Sequence, residues 1–169
     1  MSAAGSRRRA ALRTAGAGAA CAAAFGLAVA PAAAAKTVTF EVTSVSLAVT
    51  RHDVPPKGAS RGDTITYRDR LLNAAPQWGR AKGAVVGSDR GTMTWTSART
   101  ATFKGVAQLP DGTVDIEGAV VPVQGGYLAF PVVGGTGRYL RARGFVLVGP
   151  GTTRALNVYR LTVPAATVA

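Results

Sequence analysis

Side chains able to do chemistry are scarce here: 169 residues carry eight acids, one histidine (His52) and one cysteine (Cys21). The acid hardest to explain as surface charge is Asp69. In Thr64-Ile65-Thr66-Tyr67-Arg68-Asp69-Arg70-Leu71 it falls in phase with Ile65, Tyr67 and Leu71, while Arg68 and Arg70 face the other way. A carboxylate on an apolar strand face is costly unless it is paired or hydrogen-bonded. Two readings follow: a general acid/base or electrostatic group in an apolar site, or a structural acceptor held by turn amides or by an arginine such as Arg143.

Other chemistries find little support. His52 lies in a Pro/Gly-rich loop and Cys21 lies near the N-terminus, so neither a Ser-His-Asp triad nor a Cys-His pair can be assembled from the remainder. The eight acids are scattered with no D-x-D-x-D loop, and no metal or organic cofactor is expected. Gly134-Gly135-Thr136-Gly137 has the look of a phosphate-cradling loop, but no lysine follows it and the next residues do not open an amphipathic helix. Turn formation, with glycine supplying positive φ, is the better account.

The elements that must position these residues begin after a leader. Arg7, Arg8, Arg9 and Arg13 precede an apolar run over 14–30, and Ala33-Ala34-Ala35 offers an A-x-A cleavage pattern before Lys36. Residues 1–35 thus read as a signal peptide, too weakly apolar for a spanning helix, and 36–169 as one exported domain, secreted and free of the membrane after processing. That domain has no cysteine, so its stability rests on its sheet and core. It keeps 16 of the 20 lysines and arginines and all eight acids, a net charge of +8. The basic residues are spread along the chain rather than clustered, which favours solvated outer faces over a nucleic-acid surface.

Residues 36–50 alternate as a long first strand, with Val38, Phe40 and Val42 on one face and Thr39, Glu41 and Thr43 on the other. The apolar phase shifts after Ser44, which suggests a bulge or a change of neighbours. A loop over 52–62 leads into the strand bearing Asp69. Further strands are expected over 82–86, 92–96, 100–109, 113–121, 127–133, 143–148 and 155–163, with Pro110-Asp111-Gly112 as a hairpin turn. So many short strands without helical periodicity make an all-β barrel or sandwich.

Four ordered segments resemble those of the dirigent and allene oxide cyclase family: Gly62-Asp63 through Leu71, Gly91-Thr92-Met93-Thr94, Leu109-Pro110-Asp111-Gly112-Thr113, and Val132-Val133-Gly134-Gly135-Thr136-Gly137 running on to Ala142-Arg143-Gly144. The resemblance implies a single eight-stranded antiparallel β-barrel with its site in the lumen, and a homotrimer. It also implies Glu41 as the counterpart of the family's strand-one glutamate. Met93 stands where a cysteine is common, Asp69 where plant cyclases carry a water-holding asparagine, and Thr43 in place of the asparagine two residues after that glutamate, so the plant cyclase set is incomplete. Asp69 and Glu41 are the candidate catalytic residues. Tyr67, Trp95, Phe103, Phe130 and Arg143 are the candidate ligand-binding residues, Glu41 having a solvent-facing alternative and the aromatics a plain core role. Two functions compete: steering the cyclisation or coupling of a small apolar intermediate by preorganisation, or binding a small ligand or a cell-envelope polymer without turnover.

Overall fold

Alternating β-branched and polar residues give long strands, and each apolar face needs cover, which a sheet closed on itself supplies. The structure, a computed structural model, describes residues 35–165. The expected leader lies outside these apart from Ala35. The strands are β1 (Ala35–His52), β2 (Thr64–Asn73), β3 (Val85–Trp95), β4 (Ala101–Leu109), β5 (Gly112–Ala119), β6 (Val121–Pro122), β7 (Leu128–Gly135), β8 (Arg143–Val148) and β9 (Arg154–Pro164). Their order is β5-β4-β3-β2-β1-β9-β8-β7-β6, and a β5–β7 pairing closes the ring. The result is an eight-stranded antiparallel barrel, with the two-residue β6 as an appendage on β7.

β1 is long enough to serve two neighbours in a stagger: residues 35–45 pair with β9 and 42–52 with β2. Both alternatives offered for its phase shift are present: its two ends have different neighbours, and the β1–β2 register slips at Leu47, between Ser46 and Ala48. Where two strands over 82–86 and 92–96 were expected, β3 runs unbroken. Gly87-Ser88-Asp89-Arg90-Gly91 reads as a turn, yet its glycines answer a packing need. A Cβ on Gly91 would sit 2.3 Å from Cζ of Phe103, and one on Gly105 would sit 2.6 Å from the same atom, so the Phe103 ring lies over both backbones.

One end of the barrel is plugged by aromatics. Phe40 stacks on Tyr159 at 4.5 Å, meets Trp78 edge-on at 5.2 Å and lies 5.8 Å from Tyr139. The glycine segment serves this end. Thr136 N–H donates to Thr113 O and Arg138 N–H to Asp111 O, at 3.0 and 2.8 Å. A Cβ on Gly137 would fall 2.2 Å from Asp111 O. The run is therefore shaped by its contact with the β4–β5 hairpin.

Candidate functional site

Toward the other end the core opens into a cavity of about 270 Å³. Phe103, Ile116, Phe130 and Val146 give it apolar walls, and Tyr67 stacks beside Phe103 at 5.9 Å. Phe130 meets Phe103 edge-on at 5.0 Å. Val49, Arg51 and Ile65 form one side of the mouth. The β8–β9 connection with Gly151, Thr152 and Thr153 forms the other, tied down by Ser46 N–H donating to Thr153 O at 2.9 Å.

Into this apolar space project two carboxyl groups. Asp69 pairs in register with Ser46 on β1 and with Asp89 on β3. Directly opposed residues in an antiparallel pair share a face, with Cβ atoms about 5 Å apart, so Ser46, Asp69 and Asp89 form one row on the wall. Asp89 is almost fully buried, at 6% exposure. Burial, and then the neighbouring Asp69 charge, pushes its carboxyl up to about 7. Burial also raises Asp69, an effect the Ser46 hydroxyl partly offsets. Like charges this close resist double ionisation, so below about pH 7 the pair keeps a proton and offers a donor beside an acceptor.

The row has company. Oδ1 of Asp69, Oδ1 of Asp89, Oδ1 of Asn157 and the Tyr159 hydroxyl are all buried with no protein hydrogen-bond partner among the described residues, and all four residues line the cavity. Burial, with the Asp89 charge next, raises both the Tyr67 and Tyr159 phenols, which stay neutral. Several unpartnered polar atoms thus belong to residues that line one largely apolar cavity, and such atoms can bond a polar group of a guest.

Of the residues singled out in the sequence, Asp69, Tyr67, Phe103 and Phe130 meet in this cavity. Glu41 does not: with Phe40 and Val42 facing in, the pleat turns its side chain to solvent, and its backbone oxygen accepts from the Gln77 side chain and the Ala74 amide. Arg143 is a second correction. It is exposed on the outer wall and donates to the carbonyls of Val133 and Ala142, so it neither pairs with Asp69 nor reaches the lumen. Trp95 sits half-buried at the end of β3, lining a separate hollow with Arg51 and His52, and does not line the lumen cavity. Asp89 was missed. The bulge that skips Val86 in the β2–β3 ladder puts Asp89 three residues after the inward Val86, which breaks the alternation; counting back by twos from Met93 through Gly91 reaches it.

Asp63, also buried, has a different task. It accepts from the amides of Val54 and Ser60, both at 2.7 Å, and these bonds hold its carboxyl below the usual range while fixing the β1–β2 loop. Among the described residues no group of three or more His, Cys, Asp or Glu could hold a metal ion, and no helix is long and apolar enough to cross a membrane.

A small closed barrel with a polar-floored apolar lumen is thus the class that fold and site define. Residues 36–165 match the family described as Dirigent-like protein, and the chain belongs to that family. No protein of curated function matches it. Among solved structures it is similar to a pyocyanin demethylase (20% identity over 73% of this chain and 99% of that one, TM-score 0.60). It is also similar to AbnU, an exo-specific intermolecular Diels-Alderase (16%, 77% and 99%, TM-score 0.61), and to the pterocarpan synthase dirigent protein GePTS1 (17%, 76% and 84%, TM-score 0.56). At these identities the likeness is one of fold.

Proposed function

We propose that the protein is an exported, cofactor-free barrel that takes a small apolar intermediate into its lumen and steers its cyclisation or coupling to one stereoisomer. The observation that carries this reading is the Asp69–Asp89 pair set in an apolar cavity. The aromatic walls hold the guest in one conformation and exclude water. The shared proton gives a hydrogen bond or a proton to an oxygen that gains charge, and the ionised partner accepts one where a C–H or O–H bond breaks. Neighbours in fold that are named as a Diels-Alderase and a pterocarpan synthase support a lumen suited to ring chemistry, and one named as a demethylase leaves the reaction open. The basic outer face and the expected leader fit work outside the cytoplasm.

The test is to incubate the purified protein with extract of the producing cell and follow retained molecules and new products by chiral chromatography with mass spectrometry. One enantiomer accumulating with the wild type, and a racemate or nothing with Asp69→Asn, supports the reading. Retention with no product over any time course leaves the protein a small-ligand binding module and removes the steering function.

A further inference from the structure

Of the unpartnered buried atoms in the lumen, Oδ1 of Asp69, Asp89 and Asn157 are carboxyl or amide oxygens. An ionised carboxylate and an amide oxygen only accept hydrogen bonds, so the bonds left open call for donors. The charge is equally one-sided. The titratable groups that share the cavity with Asp89 are Asp69 and Tyr67 on β2 and Tyr159 on β9, while β4 sets Ala107 opposite it. No lysine or histidine lines the cavity. Of the two arginines that border it, Arg154 shares its register partner Val45 with the outward Arg70 and so lies on the outer face, and Arg51 is exposed at the mouth. The ion pairs among the described residues, Lys104–Glu117 and Arg138–Asp111, involve neither lumen acid. A buried carboxylate without counter-charge is costly, and Asp89 meets that cost by holding a proton up to about pH 7.

We infer that the guest brings the missing cation: an apolar ring body bearing a protonated amine or ring nitrogen, bound with its N–H groups on Asp69 and Asp89 and its rings against Tyr67, Phe103 and Phe130. This rests on the lumen being the ligand site, as proposed above, and narrows the class of its substrate. A protonated nitrogen supplies donors and counter-charge together, and the aromatic walls beside the acids favour a cation further. A neutral hydroxyl supplies one donor and no charge. With the cation in place the ionised form of the pair is stabilised, so Asp89 gives up its proton on binding and the pair is left to accept. Asp69 and Asp89 thus determine specificity as well as offering acid and base. The domain as a whole is basic, so a preference for a cation has to arise in the site, against the field of the rest of the chain.

A matched pair of probes tests this: 2-naphthylmethylamine, protonated throughout pH 6 to 8, and the neutral 2-naphthylmethanol of the same shape, titrated by calorimetry at low salt. At pH 8 the amine should bind about tenfold more tightly than the alcohol. Its lead should shrink several-fold at pH 6, where Asp89 is protonated, and at pH 7 its uptake should release a fraction of a proton, read from heats in buffers of different ionisation enthalpy. Asp69→Asn/Asp89→Asn should bring the two probes level; should that variant not fold, the pH dependence of the wild type carries the decision. Asp115→Asn/Glu117→Gln, which removes the same charge outside the lumen, should leave the preference intact, and if it erases the preference equally the inference fails. A lead that is the same at pH 6 and pH 8 places the counter-charge elsewhere and overturns it. Equal binding of the two probes by the wild type at pH 8 overturns the cation inference alone. Binding of neither probe overturns it together with the reading of the lumen as a ligand site.

Discussion

Asp69 and Asp89 are direct register partners on β2 and β3, side by side on the inner wall of the barrel. Neither has a basic partner among the described residues: the arginines beside them in sequence, Arg68, Arg70 and Arg90, lie on the exposed face. What the fold does with this pair is raise one carboxyl to about 7, so that it is partly protonated near neutral pH.

This has a measurable cost in stability. The Asp89 carboxyl titrates near 7 in the folded state against about 3.9 in an unfolded chain. The folded state therefore keeps a proton that the unfolded chain releases, and stability falls as pH rises from about 4 to about 7, by on the order of 4 kcal/mol, then levels. Asp63 has the opposite sign: its depressed value gives stability above about 4 that is lost on further acidification. Urea midpoints from pH 4 to 8 should show the decline in the wild type and a much smaller one in Asp89→Asn, where the raised Asp69 carboxyl remains. Parallel curves would refute a buried, protonated Asp89.

The coupling is separable from the burial. Asp69→Asn removes the second cause of the Asp89 shift and leaves the first, so the Asp89 midpoint should drop yet stay above the ordinary carboxylate value. Carboxyl-carbon titration by nuclear magnetic resonance reads this directly, and an unmoved midpoint would show that the two groups do not interact.

The lumen wall depends on two glycines. Gly91→Ala places a methyl 2.3 Å from Phe103 Cζ and 3.0 Å from Lys104 O. The ring must swing into the cavity, at about 1 to 3 kcal/mol, and guest retention should fall with it. A variant with the wild-type melting temperature and retention would mean that Phe103 is not held by Gly91.

The plugged end and the outer wall should be independent of binding. Asp111 accepts from Trp78 Nε1 and from Arg138, both at 3.1 Å. Asp111→Ala should cost about 1 kcal/mol, the ion pair being partly solvated, with retention unchanged. Glu41→Gln should alter neither quantity beyond about 0.5 kcal/mol. Loss of turnover in Glu41→Gln would return that residue to the site.

Much of the architecture was legible because a half-buried strand writes its period into the sequence. Ile65, Tyr67, Asp69 and Leu71 announce an inward face, and β8 keeps the bounds expected for it. What escaped were cross-strand facts. Gly87 and Gly91 look like a turn until Gln108 and Phe103 are seen to occupy the space their side chains would need. Asp89 stayed hidden behind the bulge at Val86. Arg143 stands among motif residues but turns outward onto the carbonyls of Val133 and Ala142, a choice made by hydrogen bonds that no spacing reveals. Glu41 fell on the polar side of its own strand, and only the family resemblance had drawn it toward the lumen.

The most direct test of the central claim is native mass spectrometry of the protein after exposure to extract of the producing cell, comparing the wild type with Asp69→Asn/Asp89→Asn. The account predicts a small molecule retained at about one per barrel by the wild type and lost, or held far more weakly, by the double variant at unchanged fold. A wild type that retains nothing, or a double variant that retains the same molecule as firmly, would contradict it.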